Sequence, residues 1–228
     1  MRVSIFALIA LKSSGRGDTV TVYLETSENM KLYLTNINEI TMEHMPLISP
    51  ERAKKASRYR FPADKKRCIA GGLLLRRFLG DNAIFTDEFG KPRAESGVCF
   101  NLSHSGDWVM LAVGEKEIGC DIEQLRQTDA LRMGRVVYTD AELELLRGSR
   151  DRLGCFYALW TKKEALLKCM GKGFHRAAKT VDVCADRFCE DGFTYHMQTK
   201  AFADYTLSVC VRCGAADTET ELVHFPLL

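Results

Sequence analysis

Residues 98–126 read VCFNLSHSGDWVMLAVGEKEIGCDIEQLR, and residues 156–168 read FYALWTKKEALLK. The second stretch spaces its apolar residues as a helix does, and it predicts a helix from Cys155 to Met170. The first stretch predicts strands because its apolar runs are short and are interrupted by glycine and polar residues. Three strands are expected there: Val98–Phe100, Trp108–Val113 and Ile118–Ile122.

Further elements are predicted on both sides of these stretches. Ser49 can cap a helix and Pro50 suits its first position, so a helix is expected to start there. Gly71 and Gly72 lie inside a second helix, where we expect them to permit close helix packing; the alternative is close approach to a ligand. Helices and strands recur loosely in two halves, which predicts an α+β fold of two subdomains. The helices are Ser49–Tyr59, Pro62–Leu79 and Asp140–Leu146, and the strands are Lys31–Leu34, Thr180–Cys184, Phe193–Thr199, Thr206–Val211 and Leu222–Phe225.

Composition excludes several classes of protein. The 228 residues carry 32 basic and 30 acidic side chains, and this balance argues against broad electrostatic binding of nucleic acid. Nine cysteines at irregular spacing indicate reduced thiols and a cytoplasmic protein. Val3–Leu11 is apolar but too short to span a bilayer, so no membrane association is expected. Residues 1–29 are interpreted as an N-terminal extension that the domain can do without.

The acidic residues of these stretches suggest a cation site. If 118–122 is a strand, Asp121 and Glu123 leave it on one face, although such a pair alone is typical of an exposed strand end. On the helix, Lys163 falls near the centre of the apolar arc, where a charge needs a partner or a polar cavity. Glu164 lies at the edge of that arc, with Lys168 one turn further on. A snorkelling lysine and a surface ion pair would explain Glu164 and Lys168 but not Lys163, so the set favours a metal–phosphate site.

A polar segment at 101–106 is the third candidate. Asn101-Leu102-Ser103-His104-Ser105-Gly106 predicts a turn whose short donors could surround a phosphate oxygen. The simpler alternative is a turn capped by its own serines and asparagine.

Together, these motifs resemble the Sfp-type 4'-phosphopantetheinyl transferases over nearly all of residues 30–228. Cys68, where relatives commonly have threonine, and Cys120, where they have an aliphatic residue, are departures from the family pattern. The motifs that carry the resemblance are Lys91-Pro92 with Phe100–Ser105, Ile118–Glu123, and Trp160–Ala165 with Lys168 and Gly171-Lys172-Gly173.

The resemblance implies an enzyme that moves phosphopantetheine from coenzyme A to a serine of an apo acyl or peptidyl carrier protein, releasing 3',5'-ADP. It implies that Asp121, Glu123 and Glu164 hold Mg²⁺ on the diphosphate. Lys163 and Lys168 would neutralise charge on the transferring phosphate, and Glu164 could deprotonate the carrier serine. The catalytic set would be Glu164, Lys168, Lys163 and His104.

The same resemblance implies the residues that bind coenzyme A. Ser103, His104 and Lys91 would contact the diphosphate or the 3'-phosphate, with Lys168 nearby. The nucleotide end would be held by Arg52, Lys55 and Arg67.

The resemblance also implies an architecture and partners. Two similar α+β halves, a pseudo-dimer covering 30–116 and 117–228, would enclose coenzyme A in the cleft between them, and the protein would act as a monomer. An acidic helix of the carrier would dock on basic residues after Glu123. The alternative is a non-catalytic protein of this fold that binds coenzyme A or a nucleotide. The candidate docking residues are Arg126, Arg132 and Arg135.

Overall fold

The computed structural model describes residues 21–27, 30–171 and 178–214. The N-terminal half contains β1 Thr21–Ser27, β2 Met30–Asn36, α1 Pro50–Arg58, α2 Pro62–Leu79, β3 Ile84–Thr86, β4 Pro92–Ala94, β5 Cys99–Ser105 and β6 Trp108–Gly114. The C-terminal half contains β7 Ile118–Gln124, α3 Ala130–Val137, α4 Asp140–Gly148, α5 Arg152–Met170, β8 Arg187–Glu190, β9 Phe193–Phe202 and β10 Tyr205–Cys213.

The two halves repeat one arrangement, and the α+β class predicted from the sequence is confirmed. Each contains a strand, a helical segment and two more strands, and in each sheet the last of these strands pairs between the other two. The first sheet has the order β1-β2-β6-β5, and the second has the order β7-β10-β9-β8. No helix among the described residues is long and apolar enough to cross a membrane.

The core has a helix–sheet–sheet–helix order, which follows from alternation along the strands. On β2, Leu32 and Leu34 pack between the two sheets, whereas Tyr33 packs against α2 on the other face. On β7, Cys120 and Ile122 likewise face the first sheet. The opposite face of β7 therefore points towards α5, which covers the second sheet.

Gly119 allows α5 to lie directly on β7. A Cβ atom at this position would overlap backbone atoms of α5, with Cys169 Cα only 3.0 Å away. Since backbone atoms cannot move aside as a flexible side chain can, only glycine permits this approach. The contact brings the side chains of α5 close to those at the end of β7.

The predicted helices are confirmed, including the cap of α1, where Ser49 Oγ accepts a hydrogen bond from the amide of Arg52. The packing interpretation of the two glycines of α2 is confirmed as well. A Cβ on Gly72 would lie 2.6 Å from Ile48 Cγ2, and one on Gly71 would lie 2.5 Å from the Arg52 guanidinium.

Two local predictions were wrong. Asn101–Ser105 belongs to β5 rather than to a turn, because the reversal needs only Gly106 and Asp107. Thr180–Cys184 is not a strand, because its backbone groups bond to side chains: the Val181 carbonyl accepts from Lys163, and the Val183 amide donates to Glu142. The predicted strand Leu222–Phe225 lies outside the described residues.

Candidate active site

The edge strands of the two sheets meet at the cleft. β5 closes one side of the first sheet and β7 one side of the second, and the Cys120 amide donates to Asn101 Oδ1 across the junction at 2.9 Å. Above this junction, α2 and α5 border a cleft of about 690 Å³. Nine of the eleven residues predicted from the sequence line it: Arg52, Lys55, Arg67, Ser103, His104, Asp121, Glu123, Glu164 and Lys168.

Asp121 is the buried centre of this site. Its Oδ1 atom accepts hydrogen bonds from Lys168 Nζ at 2.6 Å and from Ser103 Oγ at 2.8 Å. Its Oδ2 atom is buried and has no hydrogen-bond partner among residues 30–171 and 178–214. A buried carboxylate oxygen without a partner is costly, so this atom marks a position that a cation could occupy.

Lys168 lies over Asp121 from the cleft side of α5. Besides Asp121, its ammonium group donates to Ser103 Oγ at 3.3 Å and to the Cys120 carbonyl at 3.2 Å. Burial tends to lower the pKa of Lys168, but the negative charge of Asp121 raises it above the usual value. Lys168 is therefore charged and serves as the internal counter-ion of Asp121.

Glu123 follows Asp121 on the same face of β7. Ser105 Oγ donates to its Oε2 atom at 2.6 Å, and Trp160 lines the same cleft. Burial raises the pKa of Glu123, the Ser105 hydrogen bond opposes this shift, and the charge of Asp121 adds to it.

Glu164 is half-buried one turn before Lys168 on α5. Burial raises its pKa, Lys168 opposes the shift, and the charges of Asp121 and Glu123 add to it. All three carboxylates therefore act on one another in a partly desolvated space.

A hard cation fits this set of donors. Among residues 30–171 and 178–214, no three side chains of His, Cys, Asp or Glu form a complete metal site by themselves. Mg²⁺ usually combines one or two carboxylates with water and substrate phosphates, so it does not need such a preformed cage. The unpartnered Oδ2 atom of Asp121 and the all-oxygen donors fit a site that a phosphate ligand completes.

Positive side chains from the N-terminal half border the other end of the cleft. Arg67 Nε donates to the Gly106 carbonyl at 2.8 Å, and its NH1 atom pairs with Asp64 at 2.6 Å. His104 extends from β5 into the cleft, and its pKa is lowered by partial desolvation and by the charges of Arg67 and Lys168.

Arg52 and Lys55 continue this positive border along α1. Arg52 Nε donates to the Cys68 carbonyl at 3.0 Å, and burial lowers the pKa of Arg52. Lys55 is exposed at the same end of the cleft.

The structure contradicts the placement of Lys163 in the site. Its ammonium group pairs with the buried Glu142 at 2.7 Å and donates to the carbonyls of Ala178 and Val181. This side of α5 faces the core of the C-terminal half, so the partner that a buried lysine requires is a carboxylate of α4 rather than a phosphate. In the sequence, Thr139 and Glu142 have the spacing of a capping box, which indicates the start of α4 but not the partner of Lys163.

Lys91 is also absent from the cleft lining. Its ammonium group is buried, pairs with Glu117 at 2.7 Å and donates to the carbonyls of Ile118 and Cys169. These three acceptors use all its donors, so Lys91 ties the start of β7 to the end of α5. Lys172 and Gly173 of the third motif lie outside the described residues.

Two contacts of the site were missed from the sequence. Trp160 and Ser105 belong to the motifs that carry the resemblance, but neither was given a role in the site. The available signal was the equal spacing of Ser103 and Ser105 on one side and of Asp121 and Glu123 on the other.

Comparison with known proteins agrees with this geometry. A family model described as the 4'-phosphopantetheinyl transferase superfamily matches residues 117–210. 4'-Phosphopantetheinyl transferase psf-1 of Bacillus pumilus is 31% identical over 204 residues, which are 78% of this chain and 84% of that protein. 4'-Phosphopantetheinyl transferase Sfp of Bacillus subtilis (strain 168) is 32% identical over 160 residues, 65% and 70% of the two chains.

Among solved structures, holo-[acyl-carrier-protein] synthase of Thermotoga maritima matches 46% of this chain and 71% of its own, at 13% identity and a TM-score of 0.36. This similarity is too slight to add to the assignment. The two Bacillus relatives are sufficient, because the chain matches more than two thirds of the length of each at over 30% identity. The chain belongs to the Sfp-type 4'-phosphopantetheinyl transferases.

Proposed function

We propose that this enzyme transfers the 4'-phosphopantetheine group of coenzyme A to a serine of an apo carrier protein and releases 3',5'-ADP. The observation that carries the proposal is the polarity of the cleft. Asp121, with its unpartnered Oδ2 atom, stands with two further carboxylates at one end, and arginine and lysine side chains border the other. A diphosphate with a cation fits the first end, and the nucleotide phosphate fits the second.

Mg²⁺ is the proposed cofactor, with Asp121, Glu123 and Glu164 as its protein ligands. When bound, it would withdraw charge from the diphosphate and hold it in line for attack. The site supports a hard cation because its donors are oxygens only and because one of them is buried without a partner. Lys168, which lies over Asp121 at the cleft, would donate its ammonium group to the transferring phosphate.

The reaction needs little covalent help from the protein. The serine oxygen of the carrier forms a bond to the β-phosphorus of coenzyme A as the bond to 3',5'-ADP breaks, and the serine loses its proton. Glu164 lines the cleft, and a carboxylate oxygen that does not hold the cation would accept that proton, directly or through water. Lys168 stabilises the charge on the phosphate in the transition state.

The nucleotide end of coenzyme A is assigned to the N-terminal half. Arg52, Lys55 and Arg67 offer guanidinium and ammonium donors, and His104 and Ser103 lie between them and the carboxylates. Arginine suits phosphate because its planar group makes paired hydrogen bonds.

The proposed docking surface for the carrier is the exposed side of α3. Met133 and Val136 are 44% and 75% exposed there, and Arg132 and Arg135 are exposed beside them. Such a surface is complementary to an acidic helix with apolar positions, and Arg126 extends it towards the cleft. Replacing Arg132 and Arg135 by alanine should raise the KM for the carrier about tenfold and leave the KM for coenzyme A unchanged.

The arrangement of halves is part of the proposal. We assign residues 30–116 and 117–228 to the two subdomains and expect a cytoplasmic monomer. The whole of 1–29 was expected to be dispensable, but Thr21–Ser27 forms β1, which pairs with β2 in the first sheet. Only residues 1–20 are therefore proposed to be dispensable for transfer. The cysteines support the cytoplasm, since none of them forms a disulfide within the described part of the chain.

Intact mass spectrometry tests the function. An apo acyl or peptidyl carrier, coenzyme A and Mg²⁺ should yield one phosphopantetheine increment per carrier, and EDTA should abolish it. Asp121→Asn should abolish it too while preserving the circular dichroism spectrum. No increment on any of several carriers, with coenzyme A still bound, would instead indicate a non-catalytic binding protein.

A further inference from the structure

The strand β5 presents two hydroxyl groups to the two carboxylates of β7. Ser103 and Ser105 alternate on one face of β5, as Asp121 and Glu123 do on β7. Ser103 Oγ donates to Asp121 Oδ1 at 2.8 Å, and Ser105 Oγ donates to Glu123 Oε2 at 2.6 Å. Two equal spacings thus match across the junction of the halves.

The two serines differ in what else their hydroxyl groups contact. Ser103 also accepts from Lys168 and lines the cleft, where a phosphate could reach it. Ser105 is not among the cleft-lining residues, and within the described part of the chain its hydroxyl bonds Glu123 and the amide of Gln124. A direct contact between Ser105 and a bound phosphate is therefore not expected.

The hydroxyl proton of Ser105 has a fixed direction. The Gln124 amide donates to Ser105 Oγ at 3.1 Å, which occupies an acceptor position of the hydroxyl. The proton therefore points at Glu123 Oε2. The hydrogen bond restricts the rotation of that carboxylate, which lines the cleft together with Asp121.

The turn after Ser105 is held in place from the C-terminal half. Gly106 has a φ of +52°, and a Cβ there would lie 2.6 Å from Gln124 Oε1. The Asp107 amide donates to the Tyr205 hydroxyl at 3.0 Å. The position of Ser105 relative to β7 is therefore fixed by both halves.

We infer that Ser105 is a positioning residue that orients Glu123 for the cation. The inference rests on the proposed function, because it takes Glu123 as a metal ligand. The N-terminal half thereby supports a ligand that the C-terminal half carries. Residues that orient metal ligands typically contribute about 10–100-fold to metal affinity.

The inference is tested by Mn²⁺ binding to the complex of the protein with coenzyme A, in the absence of carrier, and binding is followed by electron paramagnetic resonance. Ser105→Ala should weaken Mn²⁺ binding by about tenfold or more. In transfer assays it should raise the KM for Mg²⁺ by a similar factor and leave kcat at saturating Mg²⁺ close to that of the unmodified protein. Ser57→Ala, at an exposed serine of α1 that bonds only the Lys54 carbonyl, is the matched control and should change neither value.

A double-mutant cycle separates orientation of Glu123 from general packing. If Ser105 acts through Glu123, Ser105→Ala should add less than about a twofold loss of Mn²⁺ affinity in a Glu123→Gln background. The same loss in both backgrounds, or unmodified affinity in Ser105→Ala, would overturn the inference. Should Ser105→Ala not fold, Ser105→Cys keeps the volume with a weak donor and should also weaken binding.

These outcomes are distinguishable from failure of the proposed function. If Ser105→Ala binds Mn²⁺ as tightly as the unmodified protein and the unmodified protein transfers normally, the role of Ser105 is rejected and the proposed function stands. If Ser105→Ala binds Mn²⁺ more weakly but the unmodified protein modifies no carrier, the proposed transferase activity is rejected and the orienting role of Ser105 stands.

Discussion

Two lysines on opposite sides of helix α5 differ in their exposure and in their partners. Lys168 faces the cleft, with its side chain 30% exposed, and pairs with Asp121 next to an oxygen that has no partner. Lys163 faces the core, with its side chain 3% exposed, and pairs with Glu142, whose side chain is 0% exposed. The first pair can open when a ligand provides new partners, whereas the second has no access to a ligand. Both lysines belong to one sequence motif, so the partner rather than the residue type decides the role.

The largest effect is expected from the lysine on the cleft side. Lys168→Met removes the cation that would stabilise the transferring phosphate, and it should lower kcat about 10²–10⁴-fold. Lys162→Met is the matched control, because Lys162 lies on the same helix and pairs with the exposed Asp186. Carrier modification followed by mass spectrometry measures both rates. Unchanged turnover in Lys168→Met would remove this residue from the mechanism.

A change at Lys163, on the core-facing side of α5, should alter the stability of the protein rather than its activity. Lys163→Met leaves Glu142 as an uncompensated buried charge, and it should lower the free energy of unfolding by about 3–5 kcal/mol. Transfer per folded molecule should not change. Urea denaturation measures the stability, and active-site titration corrects the rate for the folded fraction.

The double variant Lys163→Met/Glu142→Gln sharpens this test. Because it removes both charges, it should recover part of the lost stability. A selective loss of kcat in stably folded Lys163→Met would instead return this lysine to the active site.

Gly119 allows α5 to lie directly on β7, and this contact positions both the cleft-facing and the core-facing side of the helix. Gly119→Ala forces α5 away from β7, and it should lower stability by about 1–3 kcal/mol and turnover by at least about tenfold. Gly148→Ala is the control, since nothing lies within 4 Å of a Cβ at that position. Thermal denaturation and transfer assays should show both losses in Gly119→Ala only.

The smallest effect concerns pH and the carboxylates of the cleft. Folding raises the pKa of Glu164, so the folded protein binds this proton more tightly than the unfolded chain does. The contribution of Glu164 to stability is therefore most favourable below its unfolded pKa, and it declines as pH rises through the raised value.

In EDTA, Glu164→Gln should remove this decline, because glutamine resembles the protonated form. Its melting temperature relative to the unmodified protein should rise between about pH 4 and pH 7. A constant difference across this range would contradict the raised pKa.

Much of this protein followed from its sequence. Ser49 and Pro50 located the start of α1, because a capping hydroxyl and a proline suit the first positions of a helix. Apolar spacing located α5, because an apolar face repeats at the period of the element. The spacing of Asp121 and Glu123 on a strand predicted that both carboxylates share one face. Nine of the eleven candidate residues reached one cleft, since the motifs that carry them end on adjoining edges of the two sheets.

Only the tertiary structure decided which charged groups became each other's partners. The sequence placed Lys163 in the apolar arc of its helix but could not reveal Glu142, which comes from another helix of the same core. Lys91 likewise donates its hydrogen bonds to Glu117 and to two backbone carbonyls, which the sequence did not reveal. Ser105 reached Glu123 because two halves of the chain meet edge to edge. A buried charge or hydroxyl needs a partner, and the identity of that partner depends on packing between segments that are distant in the sequence.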